Sequence, residues 1–192
     1  MIIYATKQTF ERYKIVEPQN LSDPIKRELA EQTVQQEATD SLPEWGAKIF
    51  YFDRRKCLQL SNFASKFTLF LFDIKLADMD DLGSFIVTYL LRLYDGDTKM
   101  LAALHKMFEA SPVVVFDRLK NRNVIATLNF AQREVVDEKY DLYDFFEGNV
   151  LNTLKINRFV NFRRLVTIKL NDKRKYIYPG ERFRELLVER YR

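Results

Sequence analysis

The chain has 192 residues, with 31 Lys plus Arg against 27 Asp plus Glu, one His, one Cys, five Gly and five Pro. Its 47% hydrophobic and 14% aromatic content is enough for a sizeable core and its 30% charge covers a surface, which excludes a disordered, collagen-like or disulfide-rich chain. A lone Cys57 excludes an internal disulfide, and one His with one Cys excludes a His/Cys zinc site within the chain; with neither an apolar run of about 18 residues nor a basic, apolar leader, the chain reads as soluble, cytoplasmic and off the membrane.

Residues 2–5 read as a first strand, and Thr6 is placed to cap a brief helix over residues 7–13. Ser22-Asp23-Pro24 opens a polar helix reaching about Ala38. Its apolar face is thin (Ile25, Leu29, Ala30), so residues 18–43 are expected to form a helical insertion on the surface. From Trp45 the period changes to two. Residues 47–52, 57–61 and 67–72 read as three strands joined by Asp53-Arg-Arg-Lys56 and Asn62-Phe-Ala-Ser-Lys66, connections short enough for an antiparallel meander. The third run is apolar on both faces except at Thr68, which predicts a central strand covered on each side.

Helical spacing returns over residues 79–94, behind Asp78, Asp80 and Asp81 at the amino end where the helix dipole favours negative charge. Asp95-Gly96-Asp97 ends this helix, a second follows over 98–110, and Ser111-Pro112 stops it. Residues 113–116 read as a short buried strand, and Val124, Ile125, Leu128, Ala131, Val135 and Val136 mark a helix over 121–137. Residues 140–154 are aromatic and compatible with a helix. Beyond them, 165–170 and 175–178 read as strands turning at Asn171-Asp172, and Pro179-Gly180 precedes a last helix carrying Phe183, Leu186 and Leu187. The order predicts a single α+β domain over residues 1–192, a largely antiparallel mixed sheet covered by helices, with 140–192 as a basic, aromatic C-terminal subregion.

Charge is distributed unevenly. Residues 1–149 hold 19 basic and 23 acidic side chains, net −4, whereas residues 150–192 hold 12 and 4, net +8. Within that last part, Arg158-Phe-Val-Asn-Phe-Arg-Arg164 is followed by Lys169, Lys173-Arg-Lys175, Tyr176 and Tyr178. Cations neutralise phosphates, exposed aromatics stack on unpaired bases, and Asn157 and Asn161 are amides able to bond base edges or backbone. With the Arg54-Arg55-Lys56 turn, the candidate nucleic-acid contacts are Arg54, Arg55, Lys56, Arg158, Arg163, Arg164, Lys173, Arg174 and Lys175.

The favoured reading is nevertheless a non-catalytic protein-interaction module. In it the same aromatics anchor a terminal hairpin, and Tyr140-Asp-Leu-Tyr-Asp-Phe-Phe146 helps form a docking surface for a protein partner or a second copy. Nucleic-acid binding, to DNA or RNA, is the alternative. A third is a metal-dependent nuclease with Asp53 and Asp73-Ile-Lys75 as the carboxylates and lysine of a magnesium site. No cofactor is expected, because the glycines at 46, 83, 96, 148 and 180 stand too far apart for a phosphate loop. No residue is assigned as catalytic or as a metal ligand. His105, with Glu109 one turn on, has no nucleophile placed beside it, and Cys57 after three cations is either a reactive thiol or a packed one.

The segments Ile2-Ile-Tyr-Ala-Thr-Lys7, Trp45-Gly-Ala47, Arg54-Arg55-Lys56, the Asn62 turn leading into the Phe67 strand, and Val124-Ile-Ala-Thr-Leu-Asn129 together resemble a bacterial and phage family of domains of unknown function. The likeness spans roughly residues 1–135 without 18–43. It implies a compact α+β fold and a microbial accessory protein, and it brings no catalytic residue. The family pattern often has Cys where this chain has Ala5, so no thiol role carries over there.

Overall fold

The computed structural model describes residues 1–37, 41–110, 113–138, 141–170 and 173–192; Ser111-Pro112, Tyr140 and the Asn171-Asp172 turn lie outside them. Among the described residues, strands β1 (Ile2–Ala5), β2 (Glu44–Phe52), β3 (Arg55–Asn62), β4 (Thr68–Leu71) and β5 (Val115–Arg118) form one mixed sheet in the order β4-β3-β2-β1-β5. β2, β3 and β4 make the expected antiparallel meander, while β1 pairs parallel to both β2 and β5.

Side chains alternate across this sheet with the period the sequence showed. On one face Ile3, Ala5, Trp45, Ala47, Ile49, Leu58, Leu60, Leu69 and Leu71 are buried. They are covered by α1 (Lys7–Tyr13), α3 (Leu82–Leu93), α4 (Thr98–Ala110) and α7 (Pro179–Arg190), which contribute Phe10, Tyr13, Ile86, Leu90, Met100, Leu104, Phe183 and Leu187. Trp45, Phe67, Tyr94 and Phe183 meet as one aromatic cluster, Phe67 and Phe183 with ring centroids 4.9 Å apart. On the other face Phe50, Cys57 and Phe70 pack under α5 (Arg122–Gln132) and α6 (Thr153–Phe162). α5 sits low on β2 because Gly46 has no side chain: a Cβ there would stand 2.6 Å from Val124 Cγ1. α5 runs on through a wide π turn, Arg133–Glu138, that carries Val135 into the second core.

The helix α2 (Pro24–Glu37) is exposed along most of its length, with Ala30 buried. Three expectations need correction. The 67–72 run is an edge strand, not a central one. Its two apolar faces are genuine, since Thr68–Leu71 is buried throughout, but burial on both faces reports layers above and below and says nothing about neighbours in the sheet. The second correction is α6 itself, in a segment whose cations and aromatics masked a helical apolar stripe of Ile156 and Val160. Ahead of it, residues 141–151 form a short helical turn and the two-residue strands β6 (Phe146–Glu147) and β7 (Val150–Leu151), where the sequence is compatible with a helix over 140–154.

α6 explains how an edge strand stays buried. An edge presents alternate unpaired N–H and C=O groups, which are costly away from water. The Thr68 N–H donates to Asn161 Oδ1 at 2.8 Å and Asn161 Nδ2 donates back to the Thr68 carbonyl at 2.7 Å. Phe70 and Asn157 repeat the exchange at 2.7 and 2.9 Å. The match is one of pitch: four helical residues rise about 6.0 Å and two strand residues about 6.6 Å, so amides at i and i+4 meet strand groups at i and i−2. Asn157 and Asn161 are fully buried and not available to bases.

Replacing Asn161 by Leu keeps the volume but strands the Thr68 N–H and C=O. The expected loss of unfolding free energy is about 2–4 kcal/mol, read by urea denaturation, and Asn157→Leu should behave alike. A loss below about 0.5 kcal/mol, the size of an ordinary surface change, would show that water can take the place of the amide.

Candidate functional site

Eight of the nine candidate cations fall into two groups at opposite ends of α6, and the ninth, Arg158, lies midway along that helix. Its amino end, at Thr153, lines the same cleft as Asp53, Arg55 and Asp73. Its carboxyl end leads to Arg163, Arg164 and a projecting ribbon of β8 (Val166–Leu170) and β9 (Lys173–Ile177). The helix between is about 15 Å long, so Arg54, Arg55 and Lys56 do not join the C-terminal cations in one patch.

At the first end, Asp53 and Arg54 both have positive φ, 49° and 61°, in the two-residue turn that joins β2 to β3. Arg54 is exposed there. Arg55 faces the Asp73 carboxylate at 3.6 Å, and the Lys56 ammonium stands 5.5 Å from the centre of the Tyr13 ring. The cleft beside them has a volume of about 360 Å³. Asp53 accepts a hydrogen bond from the exposed Tyr143 hydroxyl at 2.7 Å, and that bond, which favours the neutral phenol, raises the Tyr143 pKa. Asp53 and Asp73 therefore share one cleft, yet no three His, Cys, Asp or Glu side chains among the described residues are grouped to hold a metal ion. Cys57 is buried, and burial is the first reason that its thiol pKa is raised, against the lowering by neighbouring cations considered from the sequence. His105 is exposed on α4.

At the second end the cations divide by burial. Arg164 is 5% exposed, and its Nε donates to Glu134 Oε2 at 2.7 Å while its guanidinium lies 5.8 Å from the Phe130 ring centre. It is a structural residue of the α5–α6 junction, which corrects its place among the free contacts. Arg158 is exposed and donates to the Arg92 carbonyl at 3.3 Å. Phe159 packs on Phe145, and Phe162 on Tyr94. Leu142 is buried, Phe145 and Phe146 are half-buried, and Tyr143, 57% exposed, stacks on Phe146.

Arg163, Lys173, Arg174 and Lys175 are exposed, and none of them forms an ion pair with another described residue. The ribbon's register sets its two faces: Val166 opposite Ile177 and Ile168 opposite Lys175, then Thr167 opposite Tyr176. Val166 and Ile168 are buried on the face whose cross-strand positions are Ile177, Lys175 and Lys173, while Tyr176, 76% exposed, shares the other face with Arg174 and Thr167. A large aromatic left in water on the same face as a cation with no ionic partner among the described residues is what stacking on a base beside its phosphate requires.

Two further cavities escaped the sequence reading. One, about 410 Å³ at the foot of the ribbon, is lined by Lys66, Phe130, Arg164 and Thr167 among others. Phe130 carried a signal for it, because it lies off the apolar spacing of its own helix. The other is a groove of about 910 Å³ between α1, the start of α2, the turn at Ala77–Met79 and residues 113–116, with Val16, Leu29 and Leu76 exposed on its rim.

The chain belongs to the family described as a domain of unknown function, DUF6933, which matches residues 2–182. That match continues through α6 and the ribbon, well past the stretch of resemblance seen from the N-terminal motifs. No curated protein matches the chain. No helix among the described residues is long and apolar enough to cross a membrane.

Removing the Arg164 guanidinium from Glu134 should cost stability, whereas removing a free cation should not. Arg164→Met is expected to lower the unfolding free energy by about 2–3 kcal/mol, less than a fully buried pair because Glu134 retains some exposure, and Arg163→Gln to change it by less than about 0.5 kcal/mol. Thermal and urea melts of the two variants side by side check this; equal losses would remove the distinction between the two arginines.

Proposed function

We propose that the protein is a microbial binding protein for single-stranded nucleic acid, using the face of the β8–β9 ribbon. The observation that carries this is Tyr176, exposed at 76% on a two-stranded ribbon whose Lys173, Arg174 and Lys175 have no acidic partner among the described residues. The tyrosine ring takes an unpaired base and the Arg174 guanidinium on the same face takes its phosphate, while Lys173 and Lys175, on the opposite face with the buried Val166 and Ile168, add positive potential that draws the strand in. Arg163, at the end of α6, extends the track by one charge. Arg54 stands at the far end of α6 and serves a separate contact or none.

A second reading, self-association, is favoured by the apolar groove and its exposed rim of Val16, Leu29 and Leu76. Contact there is driven by apolar burial and is insensitive to salt.

Binding of fluorescent DNA and RNA oligonucleotides, measured over a salt series, tests the first reading. Four cations on a single strand give a log–log salt slope of about −3. Changing Lys173, Arg174 and Lys175 together to Gln should flatten that slope by about 2 and abolish most of the affinity. Tyr176→Ala should weaken binding about tenfold with the slope unchanged. Affinity that survives both changes rejects the ribbon. For the second reading, sedimentation should show a dimer that persists in high salt and dissociates in Leu76→Glu; a monomer at every concentration excludes it.

A further inference from the structure

The cavity at the foot of the ribbon combines features that point to one kind of ligand. Its volume, about 410 Å³, lies in the range of small-ligand sites. One wall is Phe130, 46% exposed although aromatic, with the guanidinium groups of Arg133 and Arg164 at 5.6 and 5.8 Å from its ring centre. Aromatic rings and guanidinium planes are the two side-chain surfaces on which unpaired bases stack. Glu134 and the Phe130 ring hold the Arg164 guanidinium, so this wall is set before any ligand arrives.

Lys66 supplies the charge. It occupies the left-handed region, φ 63°, at the turn into β4, where its N–H donates to the Asn62 carbonyl at 3.0 Å. That turn points a half-buried lysine at the cavity, and no acidic group among the described residues pairs with it. Burial accordingly lowers its pKa, a penalty that a bound anion removes. The Thr127 hydroxyl, committed as a donor to the Asn123 carbonyl at 3.0 Å, offers an acceptor, and the Thr167 hydroxyl is free of hydrogen bonds to described residues. Thr167 also lies directly opposite Tyr176 in the ribbon, so the cavity opens onto the same face as the exposed tyrosine.

We propose that this cavity holds one unpaired nucleotide of the strand bound along the ribbon, its base against Phe130 and Arg164 and its phosphate at Lys66. The proposal rests on the ribbon reading and adds to it a defined seat for a single base, in place of a surface that only tracks charge.

The probe is a short single strand carrying one 2-aminopurine, moved along the sequence, with adenosine monophosphate alone as the minimal ligand. One position should show strong fluorescence quenching on binding. Phe130→Ala should remove that quenching and weaken the strand about tenfold, Phe130→Tyr should restore both, and Lys66→Gln should reduce the salt slope by about 0.7. Adenosine monophosphate should compete for the quenched position in the wild type and fail to do so in Phe130→Ala. Phe130 is half exposed, so unchanged thermal melts will separate loss of the seat from loss of fold. If Phe130→Ala binds and quenches like the wild type while the Lys173, Arg174 and Lys175 variant has lost the strand, the seat is wrong and the ribbon stands. If the wild type binds no strand at all, both are wrong.

Discussion

The arrangement of this molecule turns on two buried asparagines. Asn157 and Asn161 exchange paired hydrogen bonds with the backbone of Phe70 and Thr68, so a helix completes the outer edge of a sheet where another strand would normally be needed. Their spare amide protons go to the Thr153 and Asn157 carbonyls of α6, leaving no donor of either amide unused. This geometry excludes a one-residue slip. A slip of one strand residue presents groups that already face β3, so the amides fix the height of α6 as well as its direction.

The placement of α6 decides the electrostatics of the carboxyl-terminal region. Its last turn ends beside Lys66 and Thr68, which brings Arg164 against Glu134 and Phe130 and starts the ribbon at Val166. Neighbouring arginines then have opposite fates. Arg164 is enclosed and matched by a carboxylate, while Arg163 stays in water. A similar division appears near α7, where Arg184 is paired with Asp97 and holds that carboxyl below the usual carboxylate range. The net +8 of residues 150–192 thus overstates the charge available to a partner, and among the described residues Lys173, Arg174 and Lys175 of the ribbon are exposed without an ionic partner.

The motifs that carry the family resemblance serve packing for the most part. Trp45 sits in the aromatic cluster, Gly46 admits Val124, and Ile2 and Ile3 are buried in β1. Asn62 ties the β3–β4 turn together, its Nδ2 donating to the Leu42 carbonyl at 2.7 Å and its Oδ1 accepting from Ser65 Oγ at 2.8 Å. Asn129 accepts from Lys48 at 2.7 Å across the α5–β2 contact. Such residues identify the fold and leave the ligand open. The turn at Arg54 is the exception, because Arg54 is exposed and has no described partner.

Local chemistry was enough for much of this. A period of two marked β2 and β3, short apolar runs marked β1 and β4, apolar spacing marked α3, α4, α5 and α7, and Thr6 marks the start of α1, its Oγ1 accepting from the Thr9 N–H at 3.4 Å. These signals are legible because each depends on a period or a cap within a few residues. Spacing failed at α6, where Asn157 and Asn161 lie in the buried stripe and polar residues inside a core break the pattern that identifies a helix. It failed also at the edge position of β4, because the place beside that strand is taken by α6, whose Asn157 meets Phe70 from 87 residues away in sequence. The sequence by itself determined which segments are strands and helices and where positive charge accumulates. Only the tertiary structure decided which cations are free, because that depends on whether a distant carboxylate, such as Glu134 for Arg164, is folded into reach.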